Sequence, residues 1–529
     1  VKNYIQLLFF FIVLVSCARI GTPTGGPIDE TPPLVLTAMP ESETVNFKGN
    51  KIRINFEEFI KFKDLNKQLV ISPPMIFQPE ITPMGFAAKF IEIKLKDTLK
   101  ENTTYTFNFG NSIVDNSEGN VLQQYKYLLS TGNFIDSLKL SGTYKDAYSL
   151  KTNYNASILL YAVNENYNDS IIYKRKPDYI TNSIDSLHYE LTHLKTGKYT
   201  VIALKDKSAN MIYNPKEDEI GFLDKPIELP NDSIVNLLIA KEAPRFLIKK
   251  PIELVKDHII IGYEGDWNAE IVEMSDKKGN LIAYQKTKEL SKDTINIWYK
   301  NVIGDTLKIK IKEKEIVKDF FVKLHSKKKD SLIIKKYFSP TLGFRDTITF
   351  TTNIPIQSID INEIQFKTND SIPVVFQPFL SDQKDKLQLL FEKKPATRYQ
   401  LILNPKAIID IFENTNDTLQ YDFAIKRTED YGELNLKLKL EIEQQYVVDL
   451  LNDKMELVQE NIINRATDLM YKNLPPGKYT VRVIFDVNRN NKWDTLNYIE
   501  KKQAEKIIYL QKIIDVRANW SINEEFTIN

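Results

Sequence analysis

The 529-residue chain holds one cysteine, Cys17, and four histidines. A lone cysteine excludes an intramolecular disulfide, so the fold must hold without one. Charge of one sign is missing as well: 71 Lys and Arg stand against 70 Asp and Glu. No net field gathers nucleic acid or an anionic membrane surface. Glycine is sparse at 18 residues, while 26 Tyr and 28 Phe join abundant β-branched residues, a composition that favours strands over helices. Local signatures of catalysis are missing too. His188, His193, His258 and His325 sit in no H-E-x-x-H or H-x-H pattern, and no C-x-x-C, G-x-S-x-G elbow, P-loop or G-x-G-x-x-G occurs. A hydrolase would have to assemble a serine or carboxylate site without any local mark. Paired carboxylates such as Glu57-Glu58 are ordinary solvated faces in a chain that is 27% charged. The sequence therefore reads as non-enzymatic.

Long apolar runs are confined to the start. Lys2 precedes Ile5 to Val15, about ten apolar residues, enough for an export-signal core and short of the roughly 20 that span a bilayer. Leu14-Val15-Ser16-Cys17 then resembles the lipobox of bacterial lipoproteins, with leucine at minus three and a small residue at minus one. The resemblance implies that residues 1–16 are a signal peptide and that the Cys17 thiol is diacylglycerylated, with acyl chains such as palmitate as the anchor. The bland alternative is a cysteine buried in an apolar strand. Residues 17–30, rich in Gly, Pro and Thr without apolar periodicity, read as a solvated tether. At about 0.8 kcal/mol per buried methylene, several acyl chains hold durably. Ala18-Arg19 lacks the aspartate of inner-membrane retention signals, so the resemblance implies the outer membrane and leaves the leaflet open. A thiol consumed by lipid also removes thiol chemistry.

Period-two alternation recurs along the rest of the chain, as in Lys51 to Phe56, Phe90 to Leu95, Thr104 to Phe109 and Leu434 to Leu440. One apolar and one wet face predict half-buried antiparallel strands. Glu443 to Leu457 is the best helical candidate, though its Val447-Val448 pair reads equally well as strand. Two internal repeats set boundaries. The first pairs Ile54-Asn55-Phe56 with Ile348-Thr349-Phe350, and Tyr105 plus Ser112 to Asp115 with Tyr399 plus Ala407 to Asp410. Beginning at Asp29 to Pro33 and ending at Tyr127 to Thr131, this pattern resembles the bacterial Ig-like domains of S-layer proteins, in which a D-x-x-G-N turn joins the last two strands. Asp115, Gly119 and Asn120 supply that turn, whereas Asp410 lacks the glycine. The second repeat, Leu194 to Val201 with Leu474 to Val481, has an L-x-x-G-x-Y-x-V pattern that resembles transthyretin-like and B-type adhesin sandwiches.

The expected fold is all-β: tandem Ig-like and transthyretin-like β-sandwich modules after the signal segment. The predicted boundaries are an Ig-like module at 31–133, a transthyretin-like module at 134–242 and a β-rich module matching neither repeat at 243–336. A degenerate Ig-like copy at 337–428 and a second transthyretin-like module at 429–529 follow.

Two patterns point to chemistry. After the second repeat, Asp486, Asn488, Asn490, Lys492 through its carbonyl, and Asp494 fall at positions one, three, five, seven and nine of a loop that resembles EF-hand and dockerin calcium sites. Position twelve is Asn497, so the bidentate glutamate is missing. The sister loop offers Asp206, Ser208, Asn210, Asn214 and Glu217. Two readings stand for these loops: a structural Ca2+ that rigidifies them, or a plain hairpin tip in which Asn and Asp bond their own backbone. The second pattern is Asp-(Ser/Thr)-(Ile/Leu), placing hydroxyls at Thr98, Ser137, Ser170, Ser186, Ser233, Thr294, Thr306, Ser331, Thr347, Ser371, Thr418 and Thr495. Composition alone would give roughly two. The tripeptide is similar to the O-glycosylation acceptor on proteins exported by some Gram-negative anaerobes, which implies a glycoprotein. It also suits a turn that opens a strand.

Together these features predict a lipid-anchored envelope protein with its outer membrane anchor at Cys17. The modules would serve as a spacer or structural scaffold, or as a surface adhesin that meets a polysaccharide or an envelope protein. Trp267 and Trp493 are the aromatics that would suit stacking on sugar.

Overall fold

The computed structural model describes residues 29–150, 155–183, 187–289, 292–300, 302 and 304–528. Cys17, its flanking signal and most of the tether, and Ser186, lie outside the described residues. The chain is all-β and forms two compact units, the first built from two sandwiches and the second from three; the short loops 146–150 and 215–219 group with the second unit. Among the described residues, no helix is long and apolar enough to cross a membrane.

The first sandwich contains β1 (Val35–Met39), β2 (Lys51–Phe62), the single-turn helix α1 (Leu65–Gln68), β3 (Val70–Ser72), β4 (Glu80–Thr82), β5 (Ala88–Lys94), β6 (Thr104–Asn108), β7 (Ile113–Asp115), β8 (Val121–Leu122) and β9 (Lys126–Ser130). One sheet runs β4-β5-β2-β7-β8 with β1 also on β2, and the other runs β3-β6-β9. Taking β1, β2, β5 and β4 as A, B, E and D, and β3, β6 and β9 as C, F and G, gives the immunoglobulin arrangement ABED over CFG. The alternation seen in the sequence sets the core: Ile52, Ile54 and Phe56 of β2, with their neighbour Ile91 of β5, pack with Phe107 and Tyr127 of the other sheet. Tyr105 at the start of strand F accepts a hydrogen bond from the Lys100 N–H at 2.8 Å, a tyrosine corner.

The second sandwich contains β10 (Leu138–Asp146), β11 (Ser157–Ala162), β12 (Tyr179–Asn182), β13 (His188–Leu194), β14 (Gly197–Lys205), β15 (Glu219–Phe222), β16 (Ile227–Leu229) and β17 (Ile234–Ile239). Its sheets are β13-β10-β17 and β12-β11-β14-β15, with β16 on β14. Gly197 opens β14 at φ +149°, a region that side chains avoid, and Tyr199 donates back to the Lys195 carbonyl at 3.0 Å. Those two jobs explain the L-x-x-G-x-Y-x-V pattern. Within this unit the joint is pinned: buried Asp136 accepts from the Thr104 hydroxyl at 2.9 Å, and the Ile180 N–H donates to Ser72 at 3.1 Å.

In the second unit, the third sandwich has β18 (Leu247–Ile248), β19 (Ile252–Val255), β20 (His258–Glu264), β21 (Glu270–Asp276), β22 (Tyr284–Glu289), β23 (Thr294–Tyr299), β24 (Thr306–Glu313) and β25 (Ile316–Lys323). The order β18-β20-β23-β22 with β19 on β20, over β21-β24-β25, is again ABED over CFG. The segment that matches neither repeat in sequence thus has Ig-like topology.

The fourth sandwich has β26 (Ile334–Lys336), β27 (Thr341–Leu342), β28 (Ile348–Thr352), β29 (Ile356–Ile359), β30 (Ile364–Thr368), β31 (Phe376–Leu380), β32 (Lys386–Phe391), β33 (Arg398–Leu403), β34 (Ile408–Asp410) and β35 (Leu419–Ile425). Its main sheets are β26-β28-β32-β31 and β27-β35-β33-β30, while β29 pairs with β34. Together β28 and β29 do the job of β2, whose own register breaks between Asn55 and Ile60. Because Lys336 pairs with Phe350, this sandwich starts before residue 337. Its tyrosine corner is Tyr399, which accepts from the Lys394 N–H at 3.0 Å.

The fifth sandwich has β36 (Gly432–Leu440), β37 (Tyr446–Asn452), β38 (Leu457–Ile463), β39 (Thr467–Leu474), β40 (Gly477–Phe485), β41 (Ile507–Tyr509), β42 (Ile514–Val516) and β43 (Ser521–Ile528). Sheets β39-β36-β43 and β38-β37-β40-β41, with β42 on β40, repeat the second sandwich strand for strand. The helical candidate resolves as strand, since Tyr446 to Leu451 are all buried in β37.

Candidate functional site

Oxygen side chains concentrate in the hairpin loops, so the loops are where chemistry has to be sought. Asp115, 1% exposed, accepts from the Glu118 and Gly119 N–H groups at 2.7 and 3.0 Å and from Asn120 N–H at 2.6 Å. Burial alone would raise its pKa, but these backbone donors outweigh that and hold it below the ordinary carboxylate value. Asp276 does the same with Lys278 and Asn280 N–H at 2.8 and 2.9 Å, and the Asn280 side chain, its strongest influence, also lowers its pKa. Asp276-Lys277-Lys278-Gly279-Asn280 is a D-x-x-G-N turn that the sequence displays openly, whereas the turn at Asp115 is one residue longer.

The expected degeneracy at Asp410 changes one residue and keeps the turn. Asp410 accepts from Phe412 and Asn414 N–H at 2.8 and 2.9 Å, and Glu413 takes the glycine's place at φ +68°. Left-handed backbone costs a side-chain-bearing residue about 1 kcal/mol. We therefore expect Glu413→Gly to stabilise the fourth sandwich by about 0.5–1 kcal/mol. Hydrogen exchange in β34 and β35 of the full chain reads this, and unchanged or faster exchange would contradict it.

The two calcium-type loops share one conformation. Asp206 follows β14 and Asp486 follows β40, and each accepts from the N–H five residues on, Met211 at 2.6 Å and Asn491 at 2.9 Å. In both loops the residues three and five places after the aspartate have positive φ: Ala209 and Met211, then Arg489 and Asn491. In the second loop Asp486 also accepts from Asn490 N–H at 3.0 Å and from the Gln445 side chain at 2.7 Å. The side-chain amide of Asn490 donates to Asp494 at 3.1 Å, and that of Asn488 also bonds Asp494. The structure thus brings Asp486, Asn488, Asn490 and Asp494 together, while the Lys492 ammonium turns away to Asp266 at 2.7 Å. Glu505, 8% exposed, closes the loop by accepting from Val487 and Asp494 N–H at 2.9 and 3.0 Å. Neither Gln445 nor Glu505 is marked by local sequence, because both come from outside the loop. In the first loop Asp206 also accepts from Ser208 N–H at 3.0 Å, Asn210 accepts from Ile212 N–H at 2.7 Å, Asn214 is half-buried and Glu217 is exposed. No three His, Cys, Asp or Glu side chains converge as a metal cluster among the described residues.

The tripeptide hydroxyls spread over the surface. Thr98, Ser137, Ser233, Ser331, Ser371 and Thr418 are exposed, while Ser170, Thr294, Thr306, Thr347 and Thr495 are half-buried. Several of the aspartates before them have fold-building partners: Asp97 accepts from Phe77 N–H at 3.1 Å, Asp232 from Glu228 N–H at 2.8 Å and Asp346 from Gly343 N–H at 2.7 Å. Local bonds such as those of Asp232 and Asp346 are the turn-opening role expected of aspartate.

A cleft of about 800 Å3 opens in the first unit, lined among others by Gln68, Asn108, Gln124, Asn182, Glu190 and Asp206. Apolar side chains such as Leu65, Ile81 and Leu204 share the lining with these amides and carboxylates, so the cleft offers hydrogen-bonding groups on a mixed surface. Neither Trp267 nor Trp493 lines this cleft. Trp267 packs edge-on against Phe246 and Tyr263, with ring centres 5.8 and 5.3 Å away, and Trp493 donates to the Glu505 carbonyl at 3.0 Å. Both are tied into packing, which reduces their use as sugar platforms.

Topology, tyrosine corner and the buried Asp115 turn converge on one comparison. Residues 29–131 match the bacterial Ig-like domain family. No curated protein matches the chain. Among solved structures, the surface layer protein SbsC, domains 1–6, is 10% identical over 92% of this chain and 67% of its own, with a TM-score of 0.16. BcpA, the major pilin subunit of Bacillus cereus, is 10% identical over 74% of this chain and 99% of its own, with a TM-score of 0.15. The titin I-band fragment I67-I69 is 12% identical over 54% of this chain and 100% of its own, with a TM-score of 0.13. Likenesses this distant carry no argument about function.

Proposed function

We propose that this chain is a lipid-anchored, non-enzymatic scaffold of the cell envelope, held at the outer membrane through Cys17 and using its sandwiches as a modular spacer. The observation that carries the reading is the pinned joints within each unit. In the first unit the Asp136–Thr104 bond fixes the segment between two sandwiches. In the second, the Thr495 hydroxyl donates to the Lys241 carbonyl at 2.6 Å and the Tyr498 N–H to Glu242 at 2.5 Å, tying the fifth sandwich to the segment that leads into the third. Loop oxygens spent on such bonds build spacing rather than a reactive centre. The test is Cys17→Ala in the native host: the protein should move from the membrane to the soluble fraction, and unchanged membrane association would sink the anchor. Intact mass of the wild-type exported protein reads lipid and O-glycan together, and a mass without sugar increments removes glycosylation.

A second reading, a surface adhesin or polysaccharide-binding lipoprotein, draws its support from the amide and carboxylate groups in the cleft of the first unit. Structural Ca2+ in the fifth sandwich is a separate proposal, supported by the left-handed Asn491 at position six, where calcium loops make their sharp turn. Calcium at a hundredfold excess over its dissociation constant would stabilise that sandwich by about 2.7 kcal/mol. The gain should appear as slower hydrogen exchange in β40 and vanish in Asp486→Ala. Equal exchange with calcium and with chelator would eliminate the metal.

A further inference from the structure

The three Ig-like sandwiches treat the free edge of strand G differently. In the first, the segment after β1 covers β9: Glu43 N–H donates to the Leu128 carbonyl and Ser130 N–H to the Thr44 carbonyl, each at 2.8 Å. In the fourth, β27 runs parallel to β35 and exchanges bonds with it, Ala424 N–H to Pro340 at 2.9 Å and Lys426 N–H to Leu342 at 3.0 Å. In the third, β18 and β19 both pair with β20, and strand A bonds the G side only beyond the end of β25, where Glu253 accepts from the His325 and Ser326 N–H groups and Lys256 N–H donates to the Lys328 carbonyl. Among the described residues no segment pairs with the outer edge of β25.

That edge is guarded only by charged side chains, Lys318, Asp319 and Lys323. Exposed edges are otherwise shortened, broken by proline or a bulge, or covered. Edge strand β4 has three residues, β31 contains Pro378, and the Lys288 N–H of β22 is bonded by the Gln383 side chain. Strand β25 has eight residues and no proline, with Ile316 60%, Val317 54% and Phe321 57% exposed. A two-residue turn links it to β24, with Glu313 opposite Ile316. Hydrogen-bonded pairs then fall on even-numbered residues of β25, and the N–H and C=O of Val317, Asp319, Phe321 and Lys323 point to the open edge.

We propose that β25 is a self-association edge that pairs antiparallel with β25 of a second copy of this chain, about a two-fold axis at Phe321. The side chains are self-complementary in that register. Phe321 meets Phe321 of the second copy, and Asp319 of each chain lies opposite Lys323 of the other on the same face, so two ion pairs flank an aromatic pair. Asp319 already accepts an ion pair from Lys308 at 2.7 Å within its own sheet, which holds its carboxylate on the outer face. The edge strand then completes in a dimer what β27 supplies within the fourth sandwich.

The test uses the full chain with Cys17→Ser, so that an engineered cysteine is the only thiol. Opposed residues of a hydrogen-bonded pair have Cα atoms about 5.5 Å apart, within disulfide range. Mild oxidation should convert Phe321→Cys, and not Val317→Cys, into a covalent dimer. Without cysteine chemistry, sedimentation should show Asp319→Lys weakening dimerisation at least tenfold and Asp319→Lys with Lys323→Asp restoring it. Equal cross-linking of both cysteine variants, a monomer at every concentration, or capture of a different protein by Phe321→Cys in cells would overturn the proposal.

Discussion

Gly142→Ala will selectively destabilise the second sandwich by at least about 3 kcal/mol, the upper range for overpacking. A Cβ on Gly142 would stand 1.7 Å from the Val235 carbonyl oxygen and 2.6 Å from its carbon. Ordinary C···O contacts are about 3.3 Å or longer, so β10 and β17 would have to part by more than 1 Å. Neither can give way cheaply. Gly142 is in register with Tyr189 of β13, the Tyr189 hydroxyl donates to the same Val235 carbonyl at 2.8 Å, and Val235 itself is core. The offending atoms are backbone, with no flexible end to swing aside. Gly119→Ala is the control: it meets nothing within 4 Å and bears only the cost of φ +85°, about 1 kcal/mol. Several sandwiches unfold in one chain, so a single melting curve is not diagnostic. Hydrogen exchange resolved by strand is the measurement, and protection in β10 and β17 unchanged by Gly142→Ala would refute the crowding argument.

The sequence showed most where one residue has one irreplaceable job. Gly197 and Gly477 need backbone that side chains avoid, and Tyr199 and Tyr479 each donate to a carbonyl four residues back, at 3.0 and 2.7 Å. Such residues recur at fixed spacing, so that repeat can be read directly. The third sandwich escaped because its kinship lies in which strands pair, and pairing leaves only alternating apolar residues as a trace. Asp276 to Asn280 was nevertheless a legible turn. Conversely, Gln445 and Glu505 complete the loop at Asp486 from other strands, and no local pattern announces a partner supplied by tertiary packing. Glu413 misled for a third reason: a turn can tolerate the wrong residue at a cost of about 1 kcal/mol when a buried aspartate holds the rest.

Removing one member of the buried pair in the fifth sandwich should have the largest effect in the second unit. Asp449 and Arg482 lie directly opposite on β37 and β40, 2% and 8% exposed, with the Arg482 Nε and Nη2 at 3.0 and 2.8 Å from one Asp449 oxygen. Burial would lower the Arg482 pKa, but the bond to Asp449 outweighs it and raises the value, so the guanidinium cannot escape by losing its proton. Asp449→Ala leaves that charge only the Tyr148 ring, 4.4 Å from the guanidinium carbon, and the Tyr509 hydroxyl, and should cost about 3 kcal/mol, the lower end for breaking a buried pair. The sister sandwich has an apolar pair in the same place. There the corresponding positions are Leu159 and Ile202, paired in the same register and essentially fully buried. Asp449→Leu with Arg482→Ile should therefore keep the fold and match or exceed wild-type stability, since one Asp449 oxygen already lacks a hydrogen-bond partner. Protection of β37 and β40 amides should fall in the single variant and recover in the double. If the double variant exchanges as fast as Asp449→Ala, the ion pair is required by its surroundings, and the two sister sandwiches differ in packing as well as in charge.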